Sequence, residues 1–222
     1  TDKLMMIPNG VEVEPYTKVE NEALSSFRSR FALPDEKIVL FVGRLVYEKG
    51  VHILVNAIQK VLEKVNAKFV IVGNGYMKEQ LSNIITQKEL EQKVIFTGFI
   101  DDETLKKLQK CADVSVVPSL FEPFGIVALE AMAAKSPIVV SDTGGLSEIV
   151  EHDTTGVKVY PDNPDSLAWG ITRVLTDGDY ARLLRENAYK KVREKYNWNL
   201  IAQQTKTVYE TVLKEYSKSF WA

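Results

Sequence analysis

Cysteine is nearly absent. Cys111 stands alone in 222 residues, which excludes an internal disulfide framework and fits a reducing, cytoplasmic setting. Its LQKCADVSVV surroundings predict a buried thiol. Long apolar runs are missing too. None approaches the roughly 18 residues of a membrane span, and no secretory core opens the chain. Positive charge is not in excess: 28 Lys and Arg face 30 Asp and Glu, a net of -2. No global basic field is therefore available to hold nucleic acid, and any anion must be bound by a few local cations. Histidine is scarce. His52 and His152 are isolated and read as structural or solvated, and no metal-ligand cluster is visible. The chain starts at Thr1 rather than Met, as expected of a piece cut from something longer. What remains is 45% hydrophobic and 26% charged, a composition that supplies a substantial core.

That apolar content is arranged in a repeating order. KIVLFVG (37–43), KFVIVG (68–73), KVIFTG (93–98), ADVSVVPS and PIVVSD (137–142) read as continuous, buried strands. Each is followed by a helical pattern, at 50–65, 77–87, from Asp102 onward, over PFGIVALEAMAA, and at LSEIV. A short strand is expected at 155–160. Helices are expected at 163–175, with Asn163 as N-cap and Pro164 at the first position, and at 180–196 and 200–216. Strand and helix alternating in this way predict an α/β domain in three layers, a parallel sheet flanked by helices on both faces. Residues 1–36 read as a lead-in segment with a Pro8-Asn9-Gly10 turn, 37–176 as the core and 177–222 as closing helices.

In such sheets chemistry lies just past the carboxyl ends of the strands. After the first strand, GRLVYEKG places Gly43, Arg44 and Lys49 in one loop, with Lys49 where the next helix starts. The helix dipole disfavours a lysine there unless an anion shares the site. Gly73-x-Gly75 resembles half of a dinucleotide fingerprint, but Lys78 occupies the third glycine position, which weakens a nicotinamide reading. In TGFIDD, Asp102 is expected to cap the next helix, and the backbone at Phe99 and Ile100 to border a cleft where a base can bond to main chain. After the fifth strand Gly144-Gly145 permits a sharp turn into a helix.

The stretch SLFEPFGIVALEAM is the most informative. Glu130 interrupts an apolar run about two helical turns inside, and a buried charge requires donors from a cation or a ligand diol. Glu122 lies before the helix at the strand tip. Fully helical spacing would separate the two by about 12 Å, too far for a glycosidase carboxyl pair but suited to a long ligand. The helix start at Phe124, Gly125 and Ile126 offers free N–H groups between them.

IPNGVEVEPY, FVGRLVYEKGVHILVNAI, FVIVGNG, VIFTGFID, ADVSVVPSLFEPFGIVALEAMA and PIVVSDTGGLSEIV together resemble, in order, the retaining GT-B glycosyltransferases of the glycogen synthase type (group 1, family 4), with Glu122 and Glu130 in their E-x7-E motif. The resemblance runs from about Leu4 to Tyr209 and is to the C-terminal, donor-binding half, a Rossmann-like domain; the N-terminal acceptor domain is absent. It implies a hexosyltransferase that moves sugar from a nucleoside diphosphate sugar to an acceptor hydroxyl. Arg44 and Lys49 would hold the diphosphate, with Gly43 in the same loop. Glu122 would contact the sugar, in a front-side mechanism without a covalent intermediate. Backbone at Phe124, Gly125 and Ile126 would touch sugar or phosphate, Ile100 would lie near the base, and Glu130 would bind the ribose diol. No cofactor and no metal is expected. The partners implied are the donor and the missing domain, with peripheral membrane association through that domain; the chain alone is expected to be inactive. The last helix of such enzymes returns across the other domain, so 200–216 and the SFWA end are expected to be partly stranded. The alternatives are a non-catalytic nucleotide-sugar module and an epimerase or phosphorylase half; a phosphorylase needs a pyridoxal-phosphate lysine that is not identifiable.

Overall fold

The computed structural model describes residues 4–18 and 21–217. Six strands form one sheet: β1 (Lys37–Val42), β2 (Ala67–Val72), β3 (Val94–Gly98), β4 (Val114–Val117), β5 (Ile138–Ser141) and β6 (Val157–Val159). Their spatial order is β3-β2-β1-β4-β5-β6. Every pairing is parallel; Leu40 of β1, for example, lies opposite Val70 on one side and Ser115 on the other. Both faces are covered, and alternate side chains divide between two cores. Val39, Phe41, Phe69, Ile71 and Val139 meet α3 (Val51–Leu62), α4 (Lys78–Gln87) and α8 (Pro164–Thr176). Ile38, Leu40, Val70, Ile138 and Val140 point the other way. There they meet α5 (Asp102–Cys111), α6 (Ile126–Ala133), α7 (Gly144–Ile149) and α9 (Gly178–Lys195). Burial on both faces is why the central strands β1, β2, β4 and β5 read as apolar runs rather than as alternation.

The chain runs outward from β1 to β3 on one side and from β4 to β6 on the other. The crevice between the carboxyl ends of β1 and β4 is therefore the topological switch point, where open α/β sheets bind ligands.

Three expectations need correction. The lead-in holds more structure than its turn signal suggests: α1 (Glu14–Thr17) and α2 (Asn21–Arg28) precede β1. Phe27 packs in the core, and Arg28 donates to the Cys111 carbonyl at 2.8 Å. Asp101, not Asp102, caps α5, its carboxylate accepting from Thr104 N–H at 2.9 Å. Asp101 has the extended backbone that an N-cap requires, φ -70° and ψ 161°, whereas Asp102 is already the first residue of the helix. Cys111 is only half-buried, and that burial still pushes its thiol pKa up. Asn163 caps α8 with Pro164 behind it, as expected.

α10 (Trp198–Tyr216) is capped by Asn197. Its first turns are held to the lead-in, where Val11 N–H donates to the Tyr196 carbonyl at 2.7 Å, and Ile201 is its buried residue. Beyond that, Tyr209, Val212 and Leu213 are exposed, in line with a stranded helix. The SFWA end lies outside the described residues. No helix of the described residues is long and apolar enough to cross a membrane.

Candidate functional site

The loops after β1 and β4 are locked together by backbone. Leu120 N–H donates to the Glu48 carbonyl at 2.8 Å, and Phe121 N–H to the same oxygen at 3.3 Å. Gly50 ends a 3-10 turn (Tyr47–Lys49) with φ of 65°. A side chain there would start 1.8 Å from the Pro118 carbonyl oxygen, so glycine alone permits this approach.

That clamp brings Lys49 and Glu122 into contact. The Lys49 ammonium donates to Glu122 Oε2 at 2.6 Å, and the Ser119 hydroxyl donates to the same oxygen at 3.3 Å. Glu122 is 9% exposed. The two residues are 73 apart in sequence and meet only because β1 and β4 are neighbours. Arg44 is exposed and takes part in no ion pair among the described residues. Gly43 sits under this loop, with its carbonyl oxygen tightly approached by Gly73 and its N–H bonded to the Val72 carbonyl at 3.0 Å.

Helix α6 starts at Ile126, later than the sequence suggested, because Gly125 takes a left-handed conformation, φ 107°, as its N-cap. Phe124 and Glu122 therefore belong to a loop. Glu130 is the fifth residue of α6, little more than one turn inside. No side chain caps α6 or α3, nor α1, α4 or α7, whereas Asp101, Asn163, Asp177 and Asn197 cap α5, α8, α9 and α10. Of the uncapped helices, α3 and α6 are the two that begin at the switch point, and a helix start left without a side-chain cap carries about half a positive charge. Gly145 N–H donates to the Glu122 carbonyl at 2.9 Å, so the paired glycines serve to seat α7 against this loop.

Glu130 is half-buried and has no cation in contact among the described residues. Gln109 Nε2 donates to its Oε2 at 3.4 Å, and the Tyr16 hydroxyl donates to Gln109 Oε1 at 2.9 Å. Burial pushes the Glu130 pKa up, with the Gln109 bond working against it. The carboxylate lies on the wall of a 270 Å³ cavity shared with Ile126, Asp102 and Lys106. The Ile100 side chain is partly buried, packed against the core cluster that holds Leu40 and Val72. Among the described residues, no group of three His, Cys, Asp or Glu could hold a metal ion. His52 stacks on Tyr47 at 4.7 Å with its Nδ1 buried and unpartnered, and burial lowers its pKa.

The sequence did not single out Ser119, Gln109 or Tyr16. Ser119 carried a weak signal, three residues before Glu122. Gln109 is a polar residue next to Leu108, and both are buried in α5.

The family described as glycosyl transferases group 1 matches residues 25–191. Over 215 residues the chain is 48% identical to an uncharacterized glycosyltransferase of Methanocaldococcus jannaschii, covering 96% of this chain and 55% of that one. The solved structure of Anabaena HepE in complex with UDP and glucose superposes with a TM-score of 0.85 at 28% identity, over 93% of this chain and 57% of that one. The C-terminal domain of a glycosyl transferase group 1 family protein, LpcC, from Francisella tularensis is 26% identical with a TM-score of 0.77. There the match covers 85% of this chain and 100% of the domain. The chain thus spans about half the length of its full-length relatives, 55% and 57% in these two cases.

Proposed function

The chain belongs to the group 1 glycosyl transferases, and from that premise we propose that it is the C-terminal, donor-binding half of a retaining enzyme that moves a sugar from a nucleoside diphosphate to an acceptor hydroxyl. The observation that carries the reading is the contact of Lys49 with Glu122 across the β1–β4 crevice, beside the open start of α6. Arg44 and Lys49 would bind the diphosphate and stabilise the charge that develops on it as it leaves. The N–H groups at Gly125 and Ile126, at the uncapped start of α6, would share that charge. Glu122 would hold the sugar, and Glu130, in its own cavity, the ribose diol. The base would rest against backbone at Ile100. This division of labour calls on no metal and no cofactor. The UDP in the HepE structure, held by a protein of this fold, supports the donor class.

The remainder of the active site, including the acceptor pocket, would lie in a second domain, and the chain by itself would transfer no sugar. A cytoplasmic setting is part of this reading, as is any membrane association being made through that second domain.

Calorimetry with UDP, ADP and GDP is the direct test. At least one should bind, and Lys49→Ala or Arg44→Ala should weaken it by about 1–3 kcal/mol. Failure of all three at millimolar concentration would remove the donor site.

A further inference from the structure

Helix α8 turns Leu167, Ile171 and Val174 into the core, yet it carries a tryptophan on its outer side. Trp169 is 50% exposed, and Tyr160, just past the end of β6, is 74% exposed. Trp169 stands between two hollows of 630 and 440 Å³ and, with Asp165, lines both. Each hollow is within the size range of small-ligand sites. Together they make a groove along the open β6 edge of the domain, crossed by an indole ridge.

The groove offers unengaged polar groups beside its rings. Asn163 spends its carbonyl oxygen on Ser166 N–H, which leaves its amide hydrogens. The Ser166 hydroxyl accepts from Tyr160 N–H and keeps its own hydrogen to donate. Asp142 uses Oδ1 for Ser147 and Lys158, which leaves Oδ2 to accept. The indole N–H has no partner among the described residues. Charge is balanced once every charged group is counted: Lys158 faces Asp142, Lys60 pairs with Asp165, Arg173 pairs with Asp153, and Lys64 is offset by Glu63 in the second hollow. The Arg173 guanidinium lies over the indole ring at 5.4 Å and His152 stacks on it at 6.4 Å, so the half-exposed remainder of the indole and the Tyr160 ring are what a ligand can meet.

This combination selects a ligand class. Balanced charge gives a phosphate or other polyanion no advantage over water. A protein partner would favour an interface core poor in charged groups, and this one contains Asp142, Lys158 and Asp165. A pyranose ring has weakly positive C–H faces that suit the negative face of an aromatic ring, and a rim of hydroxyls that both donate and accept. We propose that the groove is a second carbohydrate site, binding a neutral oligosaccharide of more than one sugar unit across the Trp169 ridge. None of its residues belongs to the Arg44, Lys49, Glu122 and Glu130 set, so the inference goes beyond the donor reading and stands without it.

The test is an array of glucan, mannan and N-acetylglucosamine oligomers probed with the purified chain, followed by titration of the best binder. One oligomer class should bind. Trp169→Ala and Tyr160→Ala should each lower its affinity by about three- to tenfold, while Trp169→Phe retains most of it. Saturating UDP should leave glycan binding unchanged. The proposal is overturned if no oligomer binds, if binding survives the double Trp169→Ala, Tyr160→Ala variant, or if UDP displaces the glycan. Calorimetry with UDP on the same samples separates this failure from failure of the donor site, since Trp169 and Tyr160 take no part in it.

Discussion

Glu130 has a neutral amide at 3.4 Å where a buried carboxylate would ordinarily recruit a cation. Its environment therefore favours the proton. With the native pKa above the ordinary 4.5, the folded protein holds that proton more tightly than the unfolded chain does. Stability should accordingly fall as pH rises from 4.5 through the raised value, and Glu130→Gln should flatten that slope in urea titrations. A ribose diol would supply the two donors the carboxylate lacks, and only the ionised form can accept from both. UDP affinity should then rise with pH over the same window, and the 2′,3′-dideoxy analogue should show a smaller rise. Titration of the phosphates is common to both ligands and cancels in the ratio. Equal pH dependence for the two would make Glu130 a structural residue.

Among the elements, glycines decide where the site forms. Gly50 lets the β1 and β4 loops touch, and Gly125 starts α6 without a capping side chain. Gly50→Ala would combine a left-handed alanine, costing about 1–2 kcal/mol, with a methyl group 1.8 Å from the Pro118 carbonyl oxygen. The loops would have to part, and Lys49 with them. We expect at least about 2 kcal/mol of lost stability in urea denaturation, together with weaker UDP binding. A change within about 0.5 kcal/mol, as for an ordinary surface site, would mean that the loops are not pinned there.

The same elements show what could be read in the sequence. The central strands β1, β2, β4 and β5 were legible because they are buried on both faces and so appear as runs rich in Val and Ile, while the edge strands β3 and β6 are less buried and carry Thr97 and Lys158. Arg44, Lys49 and Glu122 were legible as residues past strand tips. Their pairing was not, because Lys49 meets Glu122 only through the β1–β4 adjacency, which the strand order decides. The depth of Glu130 was overestimated because Pro123-Phe124-Gly125 continues the apolar run without continuing the helix. The Tyr16–Gln109 support was hidden for a similar reason: it joins the lead-in to α5, 93 residues away.

At the scale of the whole molecule, α10 divides into an anchored start and a free remainder. Ile201 is 5% exposed, while Val212 and Leu213 are 57% and 66% exposed. An apolar pair of this kind gains nothing from the domain it is attached to. In the reading of the chain as one half of a longer enzyme, the pair would be covered by the other half. Ile201→Ala should cost the present chain about 2–5 kcal/mol, the usual range for a buried isoleucine. The double change Val212→Lys, Leu213→Lys should stay within about 0.5 kcal/mol, because those side chains already face water. In the longer protein the same double change should destabilise, since it would force two ammonium groups into a covered apolar surface. Thermal melts of both forms, with and without the lysines, make the comparison. Indifference to the lysines in the long form would show that α10 points away from whatever the rest of the enzyme provides.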